Sequence, residues 1–223
     1  IAKSTGFKLS LTSMSILLVS DLALTKKPTC GPACSLKPLS NIYCIINGIL
    51  TYPNFNVVSV PAIVYFAPCA SVDYFGACLQ QLDPQRFLSL HGKMVPKRRN
   101  GVVASFAAKT SSVLLCTDLA ARGLDFESVQ LVIHMDAPQD PKNFAHRAGR
   151  AARAGGTGLS IVFLSPGEEA YVDLLRHRGV PILLDELEIP GLDQHKQVNL
   201  VEMNKVNRDL YEKSVTAFVS YIR

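Results

Sequence analysis

The chain has 223 residues, 48% of them apolar and 18% charged, with a net charge of +5 and a mean hydropathy of +0.20. Such a composition fills a globular core as one large domain or one domain with appendages. The modest basic bias suits a polyanion partner and predicts non-specific affinity, not chemistry. Six cysteines, at positions 30, 34, 44, 69, 78 and 116, show no disulfide framework, and the last three lie in or beside apolar runs. Cys30 and Cys34 lack the second pair that a zinc site needs, so a reducing intracellular compartment is expected.

Residues 9–24 lean apolar after Lys3 and Lys8, loosely like a secretory leader. Ser, Thr and Asp21 interrupt them, and the stretch is too polar and too short to span a membrane. Residues 26–60 are rich in Pro, Ser, Cys and Asn without a sustained period. No fold is assigned to residues 1–58, and an aberrant or truncated, disordered N-terminus is the expectation for them.

Regularity begins at residue 62. Residues 62–66, 86–90, 112–116, 129–135 and 159–164 read as buried strands. Residues 71–82 read as a helix with Val72, Phe75, Cys78 and Leu79 on one face, and Pro96 starts another whose apolar residues are Val102, Val103 and Phe106. The alternation of strand and helix predicts a doubly wound parallel α/β domain over residues 59–190. In such sheets ligands gather at the carboxyl ends of strands, where Thr117 and Asp118 lie. Residues 165–168 have the spacing of a capping box, and Gly179 closes the helix that follows. Residues 191–223 are expected to begin a helical extension that docks through a stripe of Leu210, Tyr211, Val215, Phe218, Val219 and Ile222.

Two polar clusters flank the fourth strand. One is Thr117-Asp118 with Arg122-Gly123-Leu124-Asp125; the other is His146-Arg147-Ala148-Gly149-Arg150-Ala151-Ala152-Arg153. Asp140 as N-cap and Pro141 at the first helical position start a helix that the second cluster continues or ends. On a helix, Arg147, Arg150 and Arg153 spread over an arc of roughly 120°, so three guanidiniums are expected to face one way. Each can grip a phosphate by two parallel hydrogen bonds; a solvated basic face is the competing reading. Asp118 either caps the turn after it or contacts a ligand, and Asp125 either serves a ligand or pairs with Arg122.

Together the clusters resemble the fifth and sixth motifs of the DEAD-box RNA helicases. Ile63-Val64-Tyr65-Phe66 resembles the fourth motif, and Leu90-His91-Gly92 with Arg99 and Phe106 resembles the segment after it. Val72-Asp73-Tyr74-Phe75, Leu90-His91-Gly92-Lys93-Met94 and residues 209–223 are similar to a nucleolar branch whose members assist assembly of the large ribosomal subunit. The resemblance covers about residues 60–190. Pro96, Ala67-Pro68-Cys69 and Ala151-Ala152 depart from the family pattern.

The resemblance implies the second RecA-like domain of an ATP-dependent RNA helicase acting in the nucleolus on pre-ribosomal RNA. Arg150 and Arg153 would reach the γ-phosphate of ATP, Asp125 the ribose, and His146 and Arg147 an acidic motif on an opposing domain. Gly92, Arg99 and Thr117 would meet the RNA backbone. ATP and Mg²⁺ are held by a first RecA-like domain, and neither its glycine-rich phosphate loop nor its acidic motif stands in these 223 residues. The implied partners are that first domain, RNA and pre-ribosomal particle proteins, with no membrane and no metal held by this half. The alternative is a non-catalytic RNA- or protein-binding module without ATPase of its own.

Overall fold

A sheet of short parallel strands forms the centre of the computed structural model, which describes residues 14–19, 60–121, 126, 129–151, 158–164, 168, 170–180, 182–184 and 200–222. The strands are β1 (Met14–Val19), β2 (Ala62–Tyr65), β3 (Phe87–Leu90), β4 (Val113–Cys116), β5 (Leu131–His134), β6 (Gly158–Phe163) and β7 (Leu183–Leu184). They lie in the order β3-β4-β2-β5-β6-β1-β7, every pair parallel. All four residues of β2, β4 and β5 are buried, which is why they read as unbroken apolar runs. The register pairs Tyr65 with both Cys116 and His134, so the carboxyl ends of the three central strands finish in one row.

The helices are α1 (Cys69–Leu82), α2 (Pro96–Ala108), α3 (Asp118–Ala121), α4 (Pro141–Ala148), α5 (Ala170–His177), α6 (Leu200–Val206) and α7 (Arg208–Tyr221). They cover both sides of the sheet. One face packs Ala62, Val64, Leu115 and Ile133 against Val72, Phe75 and Leu79 of α1 and Leu210 and Ala217 of α7. The other sets Ile63, Tyr65 and Leu114 against Phe106 of α2 and Ala120 and Ala121 of α3, with Phe144, Val172 and Leu175 under α4 and α5. This is the expected doubly wound, RecA-like architecture, and the five central strands are those read from the sequence. Each is a residue or more shorter than its apolar run, except β6, which starts one residue early, because ladder pairing ends before burial does.

Local signals set the helix ends. Pro141 and Pro96 occupy the first turns, and the Asp140 carboxylate caps α4 by accepting from the Lys142 N–H at 2.9 Å. Gly179, with φ of +73°, turns the chain after α5 into the left-handed region that glycine enters without strain. At Gly76 the need is space: a Cβ there would lie 1.9 Å from Ser89 Oγ, so α1 approaches β3 only because the side chain is missing.

Three expectations change. Met14–Val19 joins the sheet between β6 and β7, although no fold was assigned to residues 1–58; a six-residue apolar segment has no period by which to announce a strand. The rest of that segment lies outside the described residues, as do residues 165–167 of the capping box. The docking stripe of α7 is also different. Leu210 and Ala217 are buried, whereas Tyr211, Val215, Phe218 and Ile222 are 56%, 46%, 42% and 63% exposed. The face with small residues goes inward because α7 lies against α1, where Tyr74 Oη meets Asn204 of α6 at 3.0 Å from its amide nitrogen. Residues 200–221 therefore share a core with the sheet.

Candidate functional site

The row of carboxyl ends is closed by one arginine. Arg147 is 3% exposed; its Nε and Nη2 donate to the two oxygens of Asp118 at 2.6 Å each, and its Nη1 donates to the Asp136 carbonyl at 2.7 Å. Its guanidinium also lies 5.0 Å from the centre of the Tyr65 ring. One side chain from α4 thus ties the turn after β4 to the turn after β5, above the end of β2. A planar fork with fixed donors makes this bidentate bond, which a lysine could not.

Around this tie the polar groups are matched and desolvated. The Ala67 N–H donates to Asp136 Oδ2 at 2.7 Å. Burial pushes the Asp136 carboxyl above its ordinary range, against the opposing pull of the Ala67 N–H and the Arg147 charge. His134 is fully buried, contacts Ser160 Oγ at 3.0 Å and stacks on Phe144 at 4.6 Å. Burial, and then the nearby Arg147 charge, hold its pKa well below 6.5, so the ring is neutral. Burial likewise raises the phenol of Tyr65 and the thiol of Cys116 far above their usual values, leaving both protonated.

An open cleft of about 370 Å³ sits on this floor, lined by Tyr65, Asp118, Ala121, Asn143, His146, Arg147 and Arg150. His146 is exposed at its mouth and Arg150 is half-buried, its Nε 3.2 Å from the His146 carbonyl. The expected arc of three cations does not form. α4 ends at Ala148 with Gly149 as C-cap, so Arg150 leaves the helical array, while Arg147 turns inward. Arg147 was also expected to reach an opposing domain; its donors are spent inside this one. Asp118 is neither a free ligand nor only a cap, because it holds Arg147 from the start of α3. Arg153, Asp125, Arg122 and Gly123 lie outside the described residues.

The expected backbone-binding residues lie beyond β3 and β4. Thr117, 4% exposed, follows β4, and its Oγ1 has no hydrogen-bond partner. Gly92 is exposed in the turn after β3, beside the buried His91, whose Nε2 is 2.8 Å from Asp73 Oδ1 of α1. His91 thus braces the turn from α1. Arg99 is half-buried in the first turn of α2.

Sequence reasoning missed the Arg147–Asp118 pair and the parts that Tyr65, Asp136 and Asn143 play in the cleft. One signal was available: Phe144, Arg147 and Ala148 stand at i, i+3 and i+4, so an arginine shares the apolar face of its helix. Among the described residues no group of three His, Cys, Asp or Glu side chains could hold a metal ion, and no helix is long and apolar enough to cross a membrane.

The model of the helicase conserved C-terminal domain matches residues 56–155. The chain is 44% identical over 164 residues to the DEAD-box ATP-dependent RNA helicase 18 of Oryza sativa, covering 72% of this chain and 25% of that protein. It is 44% identical over 170 residues to the ATP-dependent rRNA helicase spb4 of Sclerotinia sclerotiorum, covering 73% and 27%. The chain spans about a quarter of the length of these relatives. Among solved structures, domain 2 of the Mss116p DEAD-box helicase bound to an RNA duplex superposes with a TM-score of 0.60 at 19% identity, over 92% of this chain and 79% of that one. The E. coli DEAD-box protein SrmB, bound to the regulator of ribonuclease activity A, gives 0.59 at 22% identity, over 81% and 92%.

Proposed function

We propose, for a chain that belongs to the DEAD-box helicases through its conserved C-terminal domain, that it acts as the half of an ATP-dependent RNA helicase that completes an ATP site rather than containing one. The observation that carries this reading is the cleft: Arg147 is locked into its floor, while Arg150 and His146 stand at its mouth. A guanidinium delivered from outside a nucleotide site stabilises the charge that builds on the transferring phosphoryl group. Arg150 and Arg153 fill that role, Asp125 takes the ribose, and His146 meets the acidic motif of the opposing RecA-like domain. That domain holds ATP with its Mg²⁺, which supplies charge neutralisation to the phosphates.

The RNA side of the reading is a backbone groove. Thr117 offers a hydroxyl with no partner in the chain, Gly92 an exposed stretch of backbone, and Arg99 a fork for a phosphate. None of these reads a base, so binding is independent of sequence. The relatives named as rRNA helicases support pre-ribosomal RNA as the substrate, in the nucleolus and among pre-ribosomal particle proteins.

Mixing this chain with an isolated first RecA-like domain of a DEAD-box helicase tests the reading. RNA-stimulated ATP hydrolysis should appear in the mixture, be absent from either half alone, and vanish with Arg150→Ala or Arg153→Ala. Persistent hydrolysis in both variants, or none in the mixture, would overturn the ATP-site role and leave a binding module.

A further inference from the structure

The turn after β3 and the start of α3 put two large apolar side chains into solvent. Leu119 is 69% exposed and Val95 is 64% exposed. They flank Gly92: a Cβ on that residue would lie 3.6 Å from Leu119 Cδ2, and Val95 ends the same turn, in which the Met94 N–H donates to the His91 carbonyl at 3.2 Å. The rim around them is cationic, with Lys93, Lys97 and Arg98 exposed and Arg99 half-buried. The acidic neighbours are already engaged, Asp73 by His91 and Asp118 by Arg147.

We propose that Leu119 and Val95 form an apolar ledge that carries the sugar and base side of a single RNA strand whose phosphates face Gly92, Arg99 and Thr117. The ledge rests on the backbone-groove reading above. Charge complementarity selects the occupant: an apolar pair inside a cationic rim fits a chain that is anionic along one side and largely apolar along the other. Aliphatic side chains have no donor or acceptor, so the ledge adds affinity without choosing a base.

The test separates the two contributions by their salt dependence. The 223-residue chain, Leu119→Ser and Arg99→Ala are each titrated with a fluorescent single-stranded uridine oligoribonucleotide at several salt concentrations. Leu119→Ser should weaken binding about fivefold at every concentration, because an apolar contact releases no counterion. Arg99→Ala should lower the slope of log K against log salt by about one. Leu119 is exposed, so its urea midpoint should be unchanged, and Val95→Ser should act in the same direction. Wild-type affinity in Leu119→Ser beside a weakened Arg99→Ala would overturn the ledge and keep the groove. So would a changed slope in Leu119→Ser, which would mean disturbed phosphate contacts. No change in either variant, or no binding by the wild-type chain, would overturn both.

Discussion

The floor of the cleft and the outer face of α7 use the same chemical groups to opposite ends. At the floor, Arg147 and Asp118 are 3% and 32% exposed by side chain and bonded at two points. On α7, Arg208 and Glu212 pair at 2.9 Å but are 91% and 63% exposed, and Lys213 and Asp209 pair at 2.6 Å with 38% and 68% exposure. Distance barely separates the pairs; solvent does. A buried charge left alone is expensive, whereas an exposed one is rehydrated at once. The apolar residues mirror this, since Phe144 is wholly buried in α4 while Phe218 stays 42% exposed on α7. Charge is therefore structural in one region and solubilising in the other.

The largest effect should come from breaking the floor. Arg147→Met should cost about 2–3 kcal/mol, toward the low end for a broken buried pair because Asp118 retains some water, read as a lower urea midpoint at unchanged m-value. Arg147→Lys should recover little of it. If Arg147→Met were as harmless as a change on α7, the contrast would fail.

Gly76→Ala probes the opposite face with no charge involved. The new Cβ meets Ser89 Oγ at 1.9 Å and Ser89 Cβ at 3.1 Å, so overpacking of about 1–2 kcal/mol is expected. Adding Ser89→Ala removes the closer atom and should recover part of that loss in the same denaturation measurement.

The buried histidine gives a pH signature. Its folded pKa lies well below 6.5 while the unfolded ring titrates near 6.5, so below that value only the unfolded chain takes up the proton. The stability is fully present above 6.5 and is lost as the pH falls toward the folded pKa, by at most about 1.4 kcal/mol per pH unit. Unfolding free energies from pH 7.5 down to 5.5 should show this slope, and subtracting those of His134→Gln should remove it. Equal slopes would mean that the ring is protonated in the folded chain.

The smallest effect should come from α7. Asp209→Asn removes an exposed i,i+4 pair and should cost under about 0.5 kcal/mol, with the difference shrinking as salt is added. A larger, salt-independent loss would place α7 with the structural region.

These contrasts separate what sequence could tell from what it could not. Strands β2 to β6, the caps at Asp140 and Asn207, the prolines that open α2 and α4 and the glycine after α5 were legible, because each depends on residues within one helical turn or one strand of itself. The two motif clusters also announced where the site lies, since Thr117 and Asp118 directly follow a strand that had to be buried.

Tertiary structure alone decided which charges face inward. Arg147 and Arg150 are three residues apart in one run, yet one is fixed between two turns and the other stands at the mouth of the cleft, because Asp118 lies 29 positions away and only the sheet register brings it near. The apolar spacing of α7 offered a broad stripe, and contact with α1 selected Leu210 and Ala217 from its edge. Met14–Val19 found a place only because β6 and β7 leave a gap one strand wide. Local propensity writes the elements into the sequence, while the partner of each face is set by chain segments far away, whose meeting no short window records.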